Sequence, residues 1–184
     1  MKLLQESPVE FLAPLSKPPE KVYVTTVDGD HYSVVLAGTE QGLLRVMMNV
    51  PLEFLIGNIR SDWNARAVKD STPFESVAGG IRSYFTGTPG PIRAAVQPLM
   101  ITPFTLEVHR ILARIPHGAT LRYGEVAEIM GKPGAARAVG SACGRNPVLL
   151  VVPCHRVVAA NGLGGFGAGL DIKKTLLRLE HVLP

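Results

Sequence analysis

The hydrophobic period of this 184-residue chain changes along its length, and that change limits the folds open to it. Residues 21–38, KVYVTTVDGDHYSVVLAG, alternate β-branched and polar residues on both sides of Asp28-Gly29, which is a hairpin pattern, and GLLRVMMNV reads as a third strand. From about Asn64 to Phe85 the apolar positions Val68, Phe74, Val77, Ile81 and Tyr84 recur at helical spacing. The proline- and glycine-rich stretch TGTPGPIRAAVQPLM then reads as a connection, with a domain boundary near residues 87 to 100. Two small units are expected, residues 1–90 and 91–184, the first opening with a polar, proline-bearing arm over residues 1–20. Hydrophobic residues make up 46% of the chain, enough for a core, which excludes disordered and collagen-like chains.

The second half reads as helices. TPFTLEVHRILARI has Thr102 as N-cap, Pro103 at the first helical position, and Phe104, Val108, Ile111, Leu112 and Ile115 on one face; Pro116-His117-Gly118 stops it. A short helix from Tyr123 to Met130, the turn GKPG and a second helix from Ala135 to Arg145, ended by Pro147, form a helix-turn-helix pattern. The second helix, AARAVGSACGRN, is made mostly of alanine, glycine and serine, with Arg137 and Arg145 its only long side chains. Close approach to a groove of DNA explains such a surface, and so does tight packing on a neighbouring helix.

Charge is uneven. Residues 1–109 carry 9 Lys and Arg against 11 Asp and Glu, whereas residues 110–184 carry 10 against 4. A basic C-terminal half suits a polyanion, of which nucleic acid is the commonest, although an ordinary solvated surface gives the same imbalance. The longest apolar run, Val148 to Val152, is far too short to cross a membrane, and no membrane partner is expected. The first residues, MKLLQESPVEFLAPLSKPPEK, have no apolar signal region. A cytoplasmic setting is therefore expected, nucleoid-associated in a prokaryote, with Cys143 and Cys154 as free thiols.

A lone cysteine is usually a small inert hydrophobe, but the neighbours of Cys154 make it a candidate nucleophile. It follows Pro153 at the end of an apolar run and precedes two polar side chains, His155 and Arg156, which need partners if buried. A thiol attacks as thiolate and needs a base or positive potential nearby. Adjacent side chains on a regular strand point to opposite faces, so Cys154 and His155 sit on a turn or communicate through a bridging water. A histidine acting as base needs an orienting group, and Glu180 on the final helix, DIKKTLLRLEHV, is the most plausible acid in this half. ANGLGGFGAG then reads as a loop whose amides approach a substrate, with Phe166 as an apolar wall. No second Cys/His cluster stands at ligand spacing, so no metal site is expected.

PCHRVV, preceded by RAVGSACGRNP and followed by GGFGAGLDIKKTLLRLE, strongly resembles the O6-alkylguanine-DNA alkyltransferase family, also called methylated-DNA–protein-cysteine methyltransferases. The match runs from about Tyr84 to Glu180 through YFTG, TPF, IPHGATLRYGEVA, RAVG and NP, in the family's order and spacing. The resemblance implies an α+β protein: a small N-terminal β-sheet domain of RNase H-like type, then a mostly helical C-terminal domain with a winged helix-turn-helix. It implies that Cys154 takes the alkyl group of O6-alkylguanine, and of O4-alkylthymine, in one displacement per molecule, with no cofactor and with duplex DNA as partner.

Residue by residue, the resemblance implies a relay of Cys154, water, His155 and Glu180, with Asn146 tying the helix-turn-helix to the active-site turn. Tyr123 donates to a flipped base and Arg137 fills its place in the stack, while Ala135, Ala136, Gly140, Ser141 and Arg145 face DNA. Val157, Phe166, Gly167, Arg156 and Lys173 form the substrate pocket. Gly167 stands where some members carry a serine, and His109 in VHR stands where a tryptophan is common. A monomer in solution is implied, with several copies able to bind side by side on DNA. Three other readings are a non-catalytic lesion sensor of the same fold, which lacks the cysteine; a DNA-binding regulator, which gives Cys154 no role; and a Cys-His hydrolase, which gives Arg137 none.

Overall fold

Alternation and apolar runs in the first half build one six-stranded sheet, and a short helical array follows it in the chain. The structure, a computed structural model, describes residues 4–87 and 90–184. Residues 1–3 of the expected arm and residues 88–89 of the expected connection lie outside the described residues.

The sheet contains β1 (Val9–Phe11), β2 (Lys21–Gly29), β3 (Tyr32–Gly38), β4 (Leu43–Met48), β5 (Arg66–Lys69) and β6 (Ala94–Val96), in the spatial order β1-β6-β4-β3-β2-β5. β2, β3 and β4 form an antiparallel meander, and the other pairings are parallel. β3 lies inside the sheet and is buried on both faces from Val34 to Gly38. On one face Val22, Val24, Val35, Ala37 and Leu44 pack with Leu55, Ile56 and Ile59 of α1 (Leu52–Trp63). On the other, Phe85 of α2 (Glu75–Phe85) stacks on Tyr32 with ring centroids 3.8 Å apart.

Several expectations change here. The hairpin turn is at Asp30-His31, because Gly29 pairs directly with Tyr32. Gly29 is instead a strand residue whose missing side chain leaves room for the Tyr32 ring. No helix begins at Asn64: that residue caps the C-terminus of α1 in the left-handed region, φ 49°, and Val68 lies in β5. The helical signal was already present at Leu55, Ile56 and Ile59, while a four-residue strand is too short for its alternation to stand out. The arm contains β1, and the expected connection contains β6, which pairs with both β1 and β4.

The helical part comprises α3 (Pro103–Leu112), α4 (Tyr123–Ile129), α5 (Ala136–Gly144) and α6 (Leu170–Leu179), with β7 (Leu121–Arg122) pairing in parallel with β8 (Val157–Val158). Thr102 caps α3, its hydroxyl accepting from the Thr105 N–H at 3.2 Å, and Pro103 opens the helix. Val108, Ile111, Leu112 and Ile115 are buried as expected, whereas Phe104 is half-buried. α4 and α5 flank a turn in which Gly131 has φ +68°, the helix-turn-helix pattern. None of the helices among the described residues is long and apolar enough to cross a membrane.

The sheet unit holds Val9–Ile101 together with Pro147–Val151, and the helical unit holds the residues up to Pro8 with Thr102–Asn146 and Val152–Pro184. The units are therefore interleaved in sequence, where a single break at residue 90 was expected. Pro147–Val151 joins the sheet unit by backbone bonds, Val46 N–H to Pro147 O at 2.8 Å and Leu149 N–H to Val46 O at 3.3 Å. Removing the α3 cap with Thr102→Ala should lower stability by about 1 kcal/mol. For a chain of this size the melting temperature should fall by about 2–4 °C; an unchanged melting curve would mean that the cap contributes nothing.

Candidate active site

The turn that presents Cys154 comes from Pro153. With φ −81° and ψ 63°, Pro153 is the centre of an inverse γ-turn closed by the Cys154 N–H and the Val152 carbonyl at 2.8 Å. A single 3-10 turn, Cys154–Arg156, follows directly. The sulfur and the His155 ring are therefore not on a regular strand, in agreement with the turn expected from the sequence.

Asn146 anchors this turn. Its side-chain amide donates to the Val152 carbonyl at 2.7 Å and to Cys154 Sγ at 3.1 Å, so the amide spans residues 147–151 and touches the thiol. Cys154 is only 4% exposed, and burial pushes its thiol up to about 11. The Asn146 amide and the Lys173 ammonium act in the opposite direction.

Behind Cys154 lies a saturated carboxylate. Glu180, 1% exposed, sits one residue past the last turn of α6 as its C-cap rather than on the helix itself. Oε1 accepts from His155 Nε2 at 2.8 Å, and both oxygens accept from Arg156, Nε at 3.1 and 2.9 Å and Nη2 at 2.9 Å. The Gly118 N–H reaches Oε2 at 3.3 Å, and Arg156 Nη1 donates to the Ile115 carbonyl at 2.6 Å. Burial raises the Glu180 pKa, but the hydrogen bonds of His155 and Arg156 and their charges outweigh it and hold the carboxyl far below its ordinary range. An ionised Glu180 fixes the proton of His155 on Nε2 and leaves the Nδ1 lone pair as acceptor. Nδ1 is buried and has no hydrogen-bond partner among the described residues. Burial lowers the imidazole pKa, with Glu180 opposing, so the ring is held as a neutral base.

A cavity of about 860 Å³ opens beside the thiol, and Cys154, Cys143, Tyr123, Phe166 and Gly167 are on its wall. Arg137, Ala136, Gly140 and Gly144 of α5 line it too, as do Arg122, Glu125 and Glu128 around α4. Tyr123 stands at the first position of α4, whose start is fixed by the Glu125 carboxylate accepting the Arg122 N–H at 2.6 Å. Arg137 is exposed and makes no side-chain hydrogen bond among the described residues.

Other site residues expected from the sequence lie elsewhere. Arg156 is not on the cavity wall; its guanidinium is occupied by Glu180 and Ile115. Lys173 and Val157 are also off the wall. Lys173 is fully buried, and its ammonium donates to the carbonyls of Val157, Leu163 and Gly165. Ala135, Ser141 and Arg145 belong to the same helical segment as Arg137 but do not line the cavity, and Arg145 Nη2 reaches Thr105 Oγ1 at 3.4 Å. Sequence reasoning missed Gly118, read only as a helix stop, and Cys143 as a wall residue. His109, which stands where a tryptophan is common in the family, is buried, and its ring bridges α3 to the Ala142 carbonyl of α5 at 3.0 Å. Among the described residues no group of three or more His, Cys, Asp or Glu could hold a metal ion.

Residues 103–182 match the family described as 6-O-methylguanine DNA methyltransferase, DNA binding domain. A methylated-DNA–protein-cysteine methyltransferase of Methanosarcina barkeri is 37% identical over 161 residues, 87% of this chain and 98% of that protein. The crystal structure of Mycobacterium tuberculosis O6-methylguanine methyltransferase is 34% identical, covers 89% of this chain and 95% of its own, and superposes with a TM-score of 0.72. The structure of M. tuberculosis OGT in complex with DNA is likewise 34% identical, over 86% of this chain and 93% of that one, at a TM-score of 0.72.

Glu180 binds a proton less readily in the folded chain than in the unfolded one. Its contribution is therefore complete above the ordinary carboxylate range and is lost as pH falls through that range toward the depressed folded value. In urea unfolding, Glu180→Gln should be less stable by about 3 kcal/mol near neutral pH, with a smaller gap near about pH 3. A gap independent of pH would show that the carboxylate is not held ionised.

Proposed function

Because the chain belongs to the methylated-DNA–protein-cysteine methyltransferase family, we propose that it repairs alkylated duplex DNA by direct reversal, moving the alkyl group of O6-alkylguanine onto Cys154. The observation that carries this reading is the wall of one cavity: the Cys154 thiol, held by Asn146 and backed by the His155–Glu180 pair, shares it with Tyr123 and Arg137.

The O6 position of a paired guanine is out of reach inside a duplex, so the nucleotide leaves the stack to enter the cavity; a lesion that weakens pairing lowers the cost. The exposed Arg137 fills the vacated place, and the small residues Ala136 and Gly140 let α5 approach the minor groove closely. Ten basic against four acidic residues beyond residue 109 supply the sequence-independent attraction to phosphate.

Transfer is an in-line displacement. The thiol proton passes through a bridging water to His155 Nδ1, whose other nitrogen stays bound to Glu180. A sulfur–carbon bond forms as the carbon–O6 bond breaks, and the departing guanine anion takes up a proton, eased by the Tyr123 hydroxyl. The thioether has no leaving group of useful reactivity, so each molecule acts once. O4-alkylthymine presents the same kind of alkylated exocyclic oxygen and is a second substrate of the same reaction. Arg156 serves this chemistry from behind, keeping Glu180 ionised and oriented.

Duplex DNA carrying labelled O6-methylguanine, incubated with the protein and followed by peptide mass analysis, should give one methyl group on Cys154 at a stoichiometry approaching one. Label on Cys143, or none on the protein, overturns the assignment. Cys154→Ala should bind the duplex and transfer nothing. Arg137→Ala should transfer at least about tenfold more slowly, and a wild-type rate would remove its proposed role.

A further inference from the structure

Tyr123 is engaged even without substrate. Its hydroxyl donates to the Gly165 carbonyl at 3.5 Å, at the long limit of a hydrogen bond, and its ring lies against Gly164. A Cβ on Gly164 would fall 2.8 Å from the phenol oxygen, and that residue has φ +70°, so glycine is required there on both counts. The same Gly165 carbonyl accepts from Lys173 Nζ at 3.2 Å. The other two protons of that ammonium go to the carbonyls of Val157 at 2.7 Å and Leu163 at 2.6 Å, and Lys173 is fully buried.

We propose that Lys173 is a positioning residue for Tyr123: it keeps the Gly165 carbonyl satisfied, so that the phenol is free to leave that carbonyl for the base. The inference rests on the reading of Tyr123 as donor to the extruded nucleotide. A carbonyl has two lone pairs and accepts both donors at once. When Tyr123 turns to the base, the carbonyl of the exposed Gly165 retains the Lys173 ammonium as its charge-assisted donor, and the loop keeps its anchor. The departing bond is the longer of the two and costs little to break. The glycine beneath the ring lets the phenol move without dragging the loop, which Lys173 pins at Leu163 and Gly165. Without the ammonium, Tyr123 becomes the principal donor to Gly165 and is withheld from the substrate.

A double-mutant cycle on single-turnover transfer from O6-methylguanine duplex, with duplex affinity measured in parallel, tests this. Lys173→Met should slow transfer by about tenfold or more while changing duplex affinity by less than about twofold. In a Tyr123→Phe background the same substitution should cost less than about threefold, because there is no phenol left to release. Lys173→Arg, which still donates to the carbonyls, should recover most of the rate. Where Lys173→Met does not fold, Lys173→Gln and Lys173→Arg are read in the same cycle. Equal slowing in both backgrounds would show that Lys173 acts independently of Tyr123, and wild-type transfer by Lys173→Met would show no role; either outcome overturns the proposal. Absence of any thioether on wild-type Cys154 is a separate result, which removes the reading of the site and this inference with it.

Discussion

The carboxylate of Glu180 is the interaction on which the rest of the helical unit depends. A carboxylate almost wholly withdrawn from water is tolerable only when its oxygens are filled with donors, and here they come from the Gly118 backbone, Arg156 and His155. The donors come from two distant parts of the chain: Gly118 from the segment after α3, and His155 and Arg156 from the 3-10 turn that begins at Cys154. One buried charge thus fixes the end of α6, the orientation of His155 and, through it, the direction in which the imidazole lone pair is available. Arg156 extends the network to the Ile115 carbonyl, so the guanidinium and the end of the α3 segment are held by the same contact.

A second constraint acts from the other side of the thiol. The Asn146 amide holds both Cys154 Sγ and the Val152 carbonyl, and the inverse γ-turn at Pro153 leaves little freedom between those points. The sulfur is therefore placed by side-chain hydrogen bonding and a proline rather than by a helix or a strand. Preorganisation of this kind suits the single displacement proposed for Cys154, since no later step has to release or rebuild the nucleophile.

Much of this was legible along the chain. Thr102-Pro103 marked the start of α3, the glycine-bearing GKPG turn separated α4 from α5, and the meander of β2, β3 and β4 followed from alternation. These signals are local: a cap, a breaker and a period each act within a few residues. The short strands β1, β5 and β6 were not legible, because three or four residues carry too little pattern and their pairing partners are far away in sequence. The hairpin turn was misplaced by two residues because Asp28-Gly29 has turn composition, whereas Gly29 is needed under the cross-strand ring of Tyr32.

At the site, the sequence by itself pointed to Cys154 as candidate nucleophile, to His155 beside it and to Glu180 as the acid behind, and the family resemblance added Asn146, Tyr123 and Arg137 as expected partners. Only the tertiary structure decided what surrounds them. Arg156 and Lys173 were expected in the pocket and instead stand behind it, one saturating Glu180 and the other filling three backbone carbonyls. Gly118 turned from a helix stop into a donor, and Cys143 joined the cavity wall. The physical reason is one of reach. A nucleophile and its base are recognised by chemistry written in adjacent residues, while the satisfaction of a buried charge depends on which distant carbonyls and amides the fold brings within about 3 Å.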